Sequence, residues 1–253
     1  MHYIFMSEVT QGFARGWQAA GMHIERMAGG RLIDWLRAHL NPPFLEHLSF
    51  RLGNQLCSLR IEDGDSQIEG PGSLEGLPTV ADGCKAHACL IPMLKRGGQG
   101  QAALRGWGLQ DARTKKLFYP PAEINEQKID MTDWELQDFA VHVVRELIEK
   151  EGYELKSWHA NPGVDSLLWF VGNNGPQWVI VRTARYTQED AELPGNWRIV
   201  ADSCSRMRKP GNFASVAVAC MQTISKGGRL YRGYLLVTNY AGVQSIRKMG
   251  RAA

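Results

Sequence analysis

The chain has 253 residues, enough to bury a full hydrophobic core and to supply two ordinary domains. Hydrophobic residues make up 44% and charged residues 22%, the balance of a soluble globular protein, which excludes a fibrous or largely disordered chain. A formal net charge of +3 is too small to draw the whole surface to polyphosphate. The densest basic clusters, Arg206, Arg208 and Lys209, and Arg247 with Lys248, read as solvated surface.

No run approaches the roughly 18 consecutive apolar residues of a membrane span, and Met1 to Met6 lacks both a basic leader and a small-residue cleavage site. The expectation is a cytoplasmic protein with no membrane partner. Five cysteines at irregular spacing do not form a disulfide framework.

In chain order, Leu32, Leu36 and Leu40, with Ile33 and Trp35 beside them, predict a short N-terminal helix that Pro42 and Pro43 end. Leu48 to Leu52 and Leu56 to Ile61 flank Gly53-Asn54 and predict a β-hairpin. The stretch from Glu62 to Gly83, rich in Gly, Asp, Ser and Pro, predicts a long surface loop. Cys89 to Leu94 predicts a strand, Gly97, Gly98 and Gly100 a turn, and Arg105 to Phe118 a further strand or hairpin. Together these suggest a small α+β domain over residues 1–128, closed by a linker from Tyr119 to Lys128.

Residues 129–253 are patterned more sharply. Thr132-Asp133-Trp134-Glu135 has capping-box spacing, in which the threonine hydroxyl and the glutamate carboxylate each satisfy one free backbone donor of a first helical turn. Leu136, Ala140, Val143 and Leu147 continue a helical stripe, widened by Phe139 and Val144, that Gly152 stops. Asp138, Arg145, Glu149 and Lys150 fall on the expected water face. Tyr153 to Trp158, Ser166 to Val171 and Gln177 to Arg185 predict a three-strand meander. Next come a helix over Asn196 to Met207, a buried strand over Phe213 to Met221, a turn at Gly227-Gly228 and a last strand over Leu230 to Asn239. No internal repeat is visible in the sequence.

Helix, meander, crossover helix and buried fourth strand, in that order, resemble the core of restriction-endonuclease-like domains, especially the Mrr type. The likeness covers roughly the last 120 residues and implies an α/β domain with a central mixed sheet flanked by helices, the chain being α+β overall. It implies that Glu135 in Trp134-Glu135-Leu136 matches a helix glutamate of the family. It also implies that Asn161-Pro162-Gly163-Val164-Asp165 delivers a metal-binding aspartate, Asp165. The family adds a carboxylate and a lysine one residue apart on the third strand, which alternation places on one face to hold Mg²⁺ and orient the attacking water. Here those positions carry Ile180 and Arg182. Isoleucine cannot ligate a metal, and an arginine, protonated at any accessible pH, serves as an ion-pair or phosphate partner and not as a base.

Each candidate also has a plain structural job. Asp165 can be a turn residue paired with Arg182, because a lone carboxylate holds Mg²⁺ weakly. Glu135 has the capping box to close, and the Glu189-Asp190 pair has nothing to position it. Cys84, His87 and Cys89 offer three soft ligands to zinc without an obvious fourth, while Cys57, Cys204 and Cys220 read as small core residues. No nucleophile elbow, phosphate loop or dinucleotide fingerprint is present. The residues therefore point to a non-catalytic binding protein on a degenerate nuclease-like domain, with nucleic acid or protein as partner and no cofactor. A divergent Mg²⁺-dependent nuclease using Asp165, Arg182 and Glu135, and an immunity-type module whose N-terminal domain binds a protein, are the alternatives.

Overall fold

In a computed structural model, the structure describes residues 10–30, 32–37, 48–64, 74, 76–96, 99–120, 128–158, 163, 168–205, 211–224 and 228–246. The chain divides into two compact units, Met1–Ile129 and Asp130–Ala253, each an α+β assembly with a mixed sheet of its own.

The first unit opens with a helix that the sequence patterns above do not single out, α1 (Gln11–Ala28). Phe13, Trp17, Ala20, Ile24 and Ala28 recur at three- and four-residue spacing and are buried. The Thr10 hydroxyl accepts from the Phe13 amide, and Gly29, at φ 57°, supplies the left-handed cap that an L side chain resists. The predicted helix at Leu32 to Leu40 is corrected: Leu32–Arg37 is strand β1, paired antiparallel with β2 (Leu48–Leu52). In so short a run, Leu32, Ile33, Trp35 and Leu36 satisfy helical and strand periods equally, and Gly29-Gly30 has already ended one helix. Residues 38–47, including the prolines expected to stop it, lie outside the described residues.

β2 and β3 (Gln55–Asp63) form the predicted hairpin, with Leu52 opposite Gln55 across Gly53-Asn54. The loop expected over Glu62 to Gly83 contains a helix, α2 (Gly76–Gly83), whose Leu77 and Ala81 are buried one turn apart. Pro78 hid it, although proline is tolerated in a first turn, where the amide has no intrahelical partner. α2 carries the chain to β4 (His87–Arg96), which runs parallel to β3. β5 (Gln99–Ala102) and β6 (Leu109–Asp111) return along β4, and β7 (Leu117–Phe118) pairs with β6.

Two layers of apolar side chains sandwich this sheet. Cys57, Leu59 and Ile61 of β3 and Cys89, Ile91 and Met93 of β4 pack beneath α1, while Ala88 and Leu90 meet Leu77 and Ala81 of α2. Coverage on both faces is why β4 reads as a continuous apolar run instead of an alternation. Each large side chain removed from water here contributes about 1.5–3 kcal/mol.

The second unit begins with α3 (Asp133–Lys150), and the capping box is present in both halves. Its buried face is Leu136, Gln137, Ala140, Val141, Val144, Arg145 and Ile148. Arg145, expected in water, is 7% exposed, with its guanidinium 5.0 Å from the centre of the Trp158 ring. Stacking on an aromatic face covers the flat cation on one side, which lets an arginine occupy an apolar arc.

The meander comes next as β8 (Glu154–Trp158), β9 (Leu168–Gly172) and β10 (Gly175–Arg185), all antiparallel. α4 (Trp197–Ser205) then leads to β11 (Gly211–Cys220), parallel to β10. The last predicted strand is shorter than expected. Leu230 to Leu235 runs outside the sheet, with Tyr231 bridging Asp130 just ahead of α3, and β12 (Leu236–Tyr240) and β13 (Gln244–Ser245) pair with β11. Trp178, Ile180 and Phe213 form a core with Cys204, Trp197, Val200 and Ala201 on the α4 side. No described helix is long and apolar enough to cross a membrane.

Candidate functional site

The candidate residues converge on the first turn of α3 and the C-terminal half of β10. Glu135 occupies the third position of the helix, where its carboxylate turns back on the N-cap and Oε2 accepts from the Thr132 amide at 2.8 Å. The same carboxylate accepts from Arg232, Nε to Oε1 at 2.6 Å and Nη2 to Oε2 at 3.0 Å. Side-chain exposure is 4% for Arg232 and 9% for Glu135, so this two-pronged pair is almost fully out of water. Planar guanidinium and planar carboxylate match edge to edge, the geometry that offsets desolvation best. With three N–H donors on its two oxygens, Glu135 as placed is a helix anchor. Acting as a metal ligand would mean releasing Arg232.

Gln137, two residues on and 3% exposed, donates from Nε2 to the Val181 carbonyl at 2.9 Å. The Gln137 amide thus ties α3 to the backbone of β10. Arg182 donates from Nη1 to the same carbonyl, also at 2.9 Å, and is half-buried. At the solvent edge, Arg185 pairs with Asp133 at 2.7 Å and reaches the Met131 carbonyl. With the Asp133 side chain 90% exposed, that pair contributes well under about 1 kcal/mol.

Ile180, at the position the resemblance assigns to a metal-binding carboxylate, is fully buried in the core beneath α4. Asp165, expected as ligand or as the partner of Arg182, lies outside the described residues. Glu189 and Asp190 are both exposed. Among the described residues no group of three or more His, Cys, Asp or Glu side chains is placed to hold a metal.

The zinc reading of the first unit meets the same finding. Cys84 and Cys89 are buried thiols. His87 hydrogen-bonds the Gln55 amide oxygen at 3.2 Å and lies against the Phe118 ring at 4.9 Å. The Cys89 thiol is held against the Cys57 thiol, and that hydrogen bond, followed by burial, pushes its pKa well above the ordinary range. Zinc needs thiolate, and this setting favours the thiol. Cys57, Cys204 and Cys220 are the buried core residues expected.

Three polar residues that organise this region, Gln137, Arg145 and Arg232, are not marked by any of the sequence motifs. Gln137, Val141 and Arg145 recur every four residues, so a helical wheel drawn with that step puts all three on the buried arc. Arg232 lies 97 residues from Glu135, and no local pattern joins them.

A family model described as a domain of unknown function (DUF8840) matches residues 134–246, a segment that starts within the first turn of α3 and ends just past β13. No curated protein and no solved structure matches the chain. The second unit is thus similar to that family over most of its length.

Proposed function

We propose that this protein is a non-catalytic binding protein whose second unit uses a restriction-endonuclease-like framework to hold a partner, nucleic acid or protein, without cutting it. Ile180 carries the reading. At the third-strand position where the chemistry needs a carboxylate stands an apolar side chain, sealed under α4 with Trp178, Cys204 and Phe213. Ion and water have no reason to enter there, since an apolar enclosure offers them no partners. The helix glutamate supports the same reading, its oxygens being taken by Arg232 and the Thr132 amide. The buried thiols suit a reducing compartment, and we place the protein in the cytoplasm.

The test is incubation of the full chain with plasmid DNA in Mg²⁺ or Mn²⁺, beside an Asp165→Ala variant. The expected outcome is intact plasmid in every lane. Metal-dependent cleavage by the parent chain that disappears in Asp165→Ala would replace this reading with that of a divergent nuclease.

A further inference from the structure

From the opening helix to the return along the fourth strand, the two units repeat one construction, with β7 of the first unit lying beyond it. Each opens with an 18-residue helix behind a threonine N-cap, Thr10 or Thr132, whose hydroxyl accepts from the amide three residues on. Each continues as a three-strand antiparallel meander whose second and third strands meet across a two-residue turn, Gly53-Asn54 or Asn173-Asn174. A helix of eight or nine residues then leads to a fourth strand parallel to the third.

That much has a general cause, since parallel neighbours need a crossover and a helix is the usual one. The return of the chain along the fourth strand has no such cause. In both units it is made in two separate antiparallel pieces. The first piece covers the far half of that strand: β5 on Met93 to Arg96, and β12 on Val216 to Cys220. The second covers the near half: β6 on Cys89 and Leu90, and β13 on Asn212 and Phe213. A broken return strand, broken in the same order at the same place, is not dictated by sheet geometry.

The faces agree as well. In the first unit Cys57, Leu59 and Ile61 of the third strand lie under the opening helix, so alternation turns Ser58 and Arg60 to the crossover-helix face. In the second, Trp178 and Ile180 lie against the crossover helix, which puts Arg182 on that same face. We infer that the chain carries one domain twice. Residues 11–111 are a second copy of the domain that the family model matches at 134–246, and, counted from the shared turn, Arg60 is the counterpart of Ile180 and Glu62 that of Arg182. Any contact surface that the matched domain presents around its third strand has a counterpart on the first unit.

Hydrogen exchange on the full chain, read peptide by peptide, tests this. The expected result is the slowest exchange on the third and fourth strands of both units, β3 with β4 and β10 with β11. The return pieces β5, β6, β12 and β13 should exchange at least about tenfold faster in each, because edges open before a paired centre. Slowest amides on different strands in the two units, or return pieces as protected as the centre in either, would overturn it. A second readout is the alignment of relatives of the first unit with relatives of the second. Third strands in phase, so that buried positions keep their faces, support the duplication. An alignment out by one residue exchanges the faces and overturns it.

Discussion

The opening helices of the two units solve one packing problem in two ways. α1 covers its sheet with Phe13, Trp17, Ala20, Ile24 and Ala28, a dry stripe whose contribution grades with each methylene. α3 has the same length and a threonine cap, yet it buries Gln137 and Arg145 beside its apolar residues and anchors its first turn through Glu135 and Arg232. The difference is one of failure mode. A dry stripe tolerates trimming, whereas a buried polar set is favourable only while every member keeps its partner.

The largest expected effect tests that contrast. Glu135→Ala takes the carboxylate from Arg232, which has only 4% of its side chain exposed, and should cost the second unit about 3–5 kcal/mol. Unfolding in denaturant, followed by a probe in that unit, measures the loss. The double variant Glu135→Leu with Arg232→Met should recover most of it, since the penalty belongs to a buried cation that has lost its carboxylate. A loss below about 1 kcal/mol in Glu135→Ala would mean that the pair is solvated and the contrast between the helices is false.

This ion pair also marks where sequence stops being legible. The capping box, the hairpin at Gly53-Asn54 and the meander from β8 to β10 each announce themselves within a few residues, because turn chemistry and strand alternation are local. β1 misled because six residues are too few to separate two periods, and α2 was masked by the company of Gly and Pro. Arg145 misled for another reason: its charge argues for water, and only the ring of Trp158, on a later strand, explains its burial. Glu135 was legible as a cap and illegible as an ion-pair partner. The repeat went unseen because it is written in pairing directions and strand order, which two quite different sequences satisfy equally.

A smaller effect sharpens the comparison at the caps. Thr10 and Thr132 each accept one amide through the side chain, from Phe13 and from Glu135. The other half of the capping box runs from the Thr132 backbone amide to Glu135, so it survives loss of the hydroxyl. Thr10→Ala and Thr132→Ala should therefore cost about the same, near 1 kcal/mol each. Thermal unfolding of the two variants checks it. A loss at Thr132 several times that at Thr10 would show that the box in the second unit acts as one cooperative element.

The smallest effect concerns pH and belongs to the first unit. His23 on α1 donates from Nε2 to the Gly106 carbonyl at 3.0 Å, which leaves Nδ1 to accept from Arg26 at 3.1 Å. Burial, foremost, and the neighbouring guanidinium hold its pKa below the ordinary 6.5, outweighing the Gly106 and Trp107 carbonyls, which favour the charged ring. Protonation in place would turn an N–H toward the cation of Arg26. The unfolded chain therefore takes up a proton first as pH falls, and folding loses free energy from about pH 6.5 down through the lower folded-state pKa, below which the loss levels off. The midpoint of the first unit's thermal transition, followed from about pH 8 to pH 5, should drop in that window, and His23→Gln, with no proton to gain, should flatten the profile. A midpoint that rises on acidification would reverse the sign and place a carboxylate, not Arg26, as the dominant neighbour of the ring.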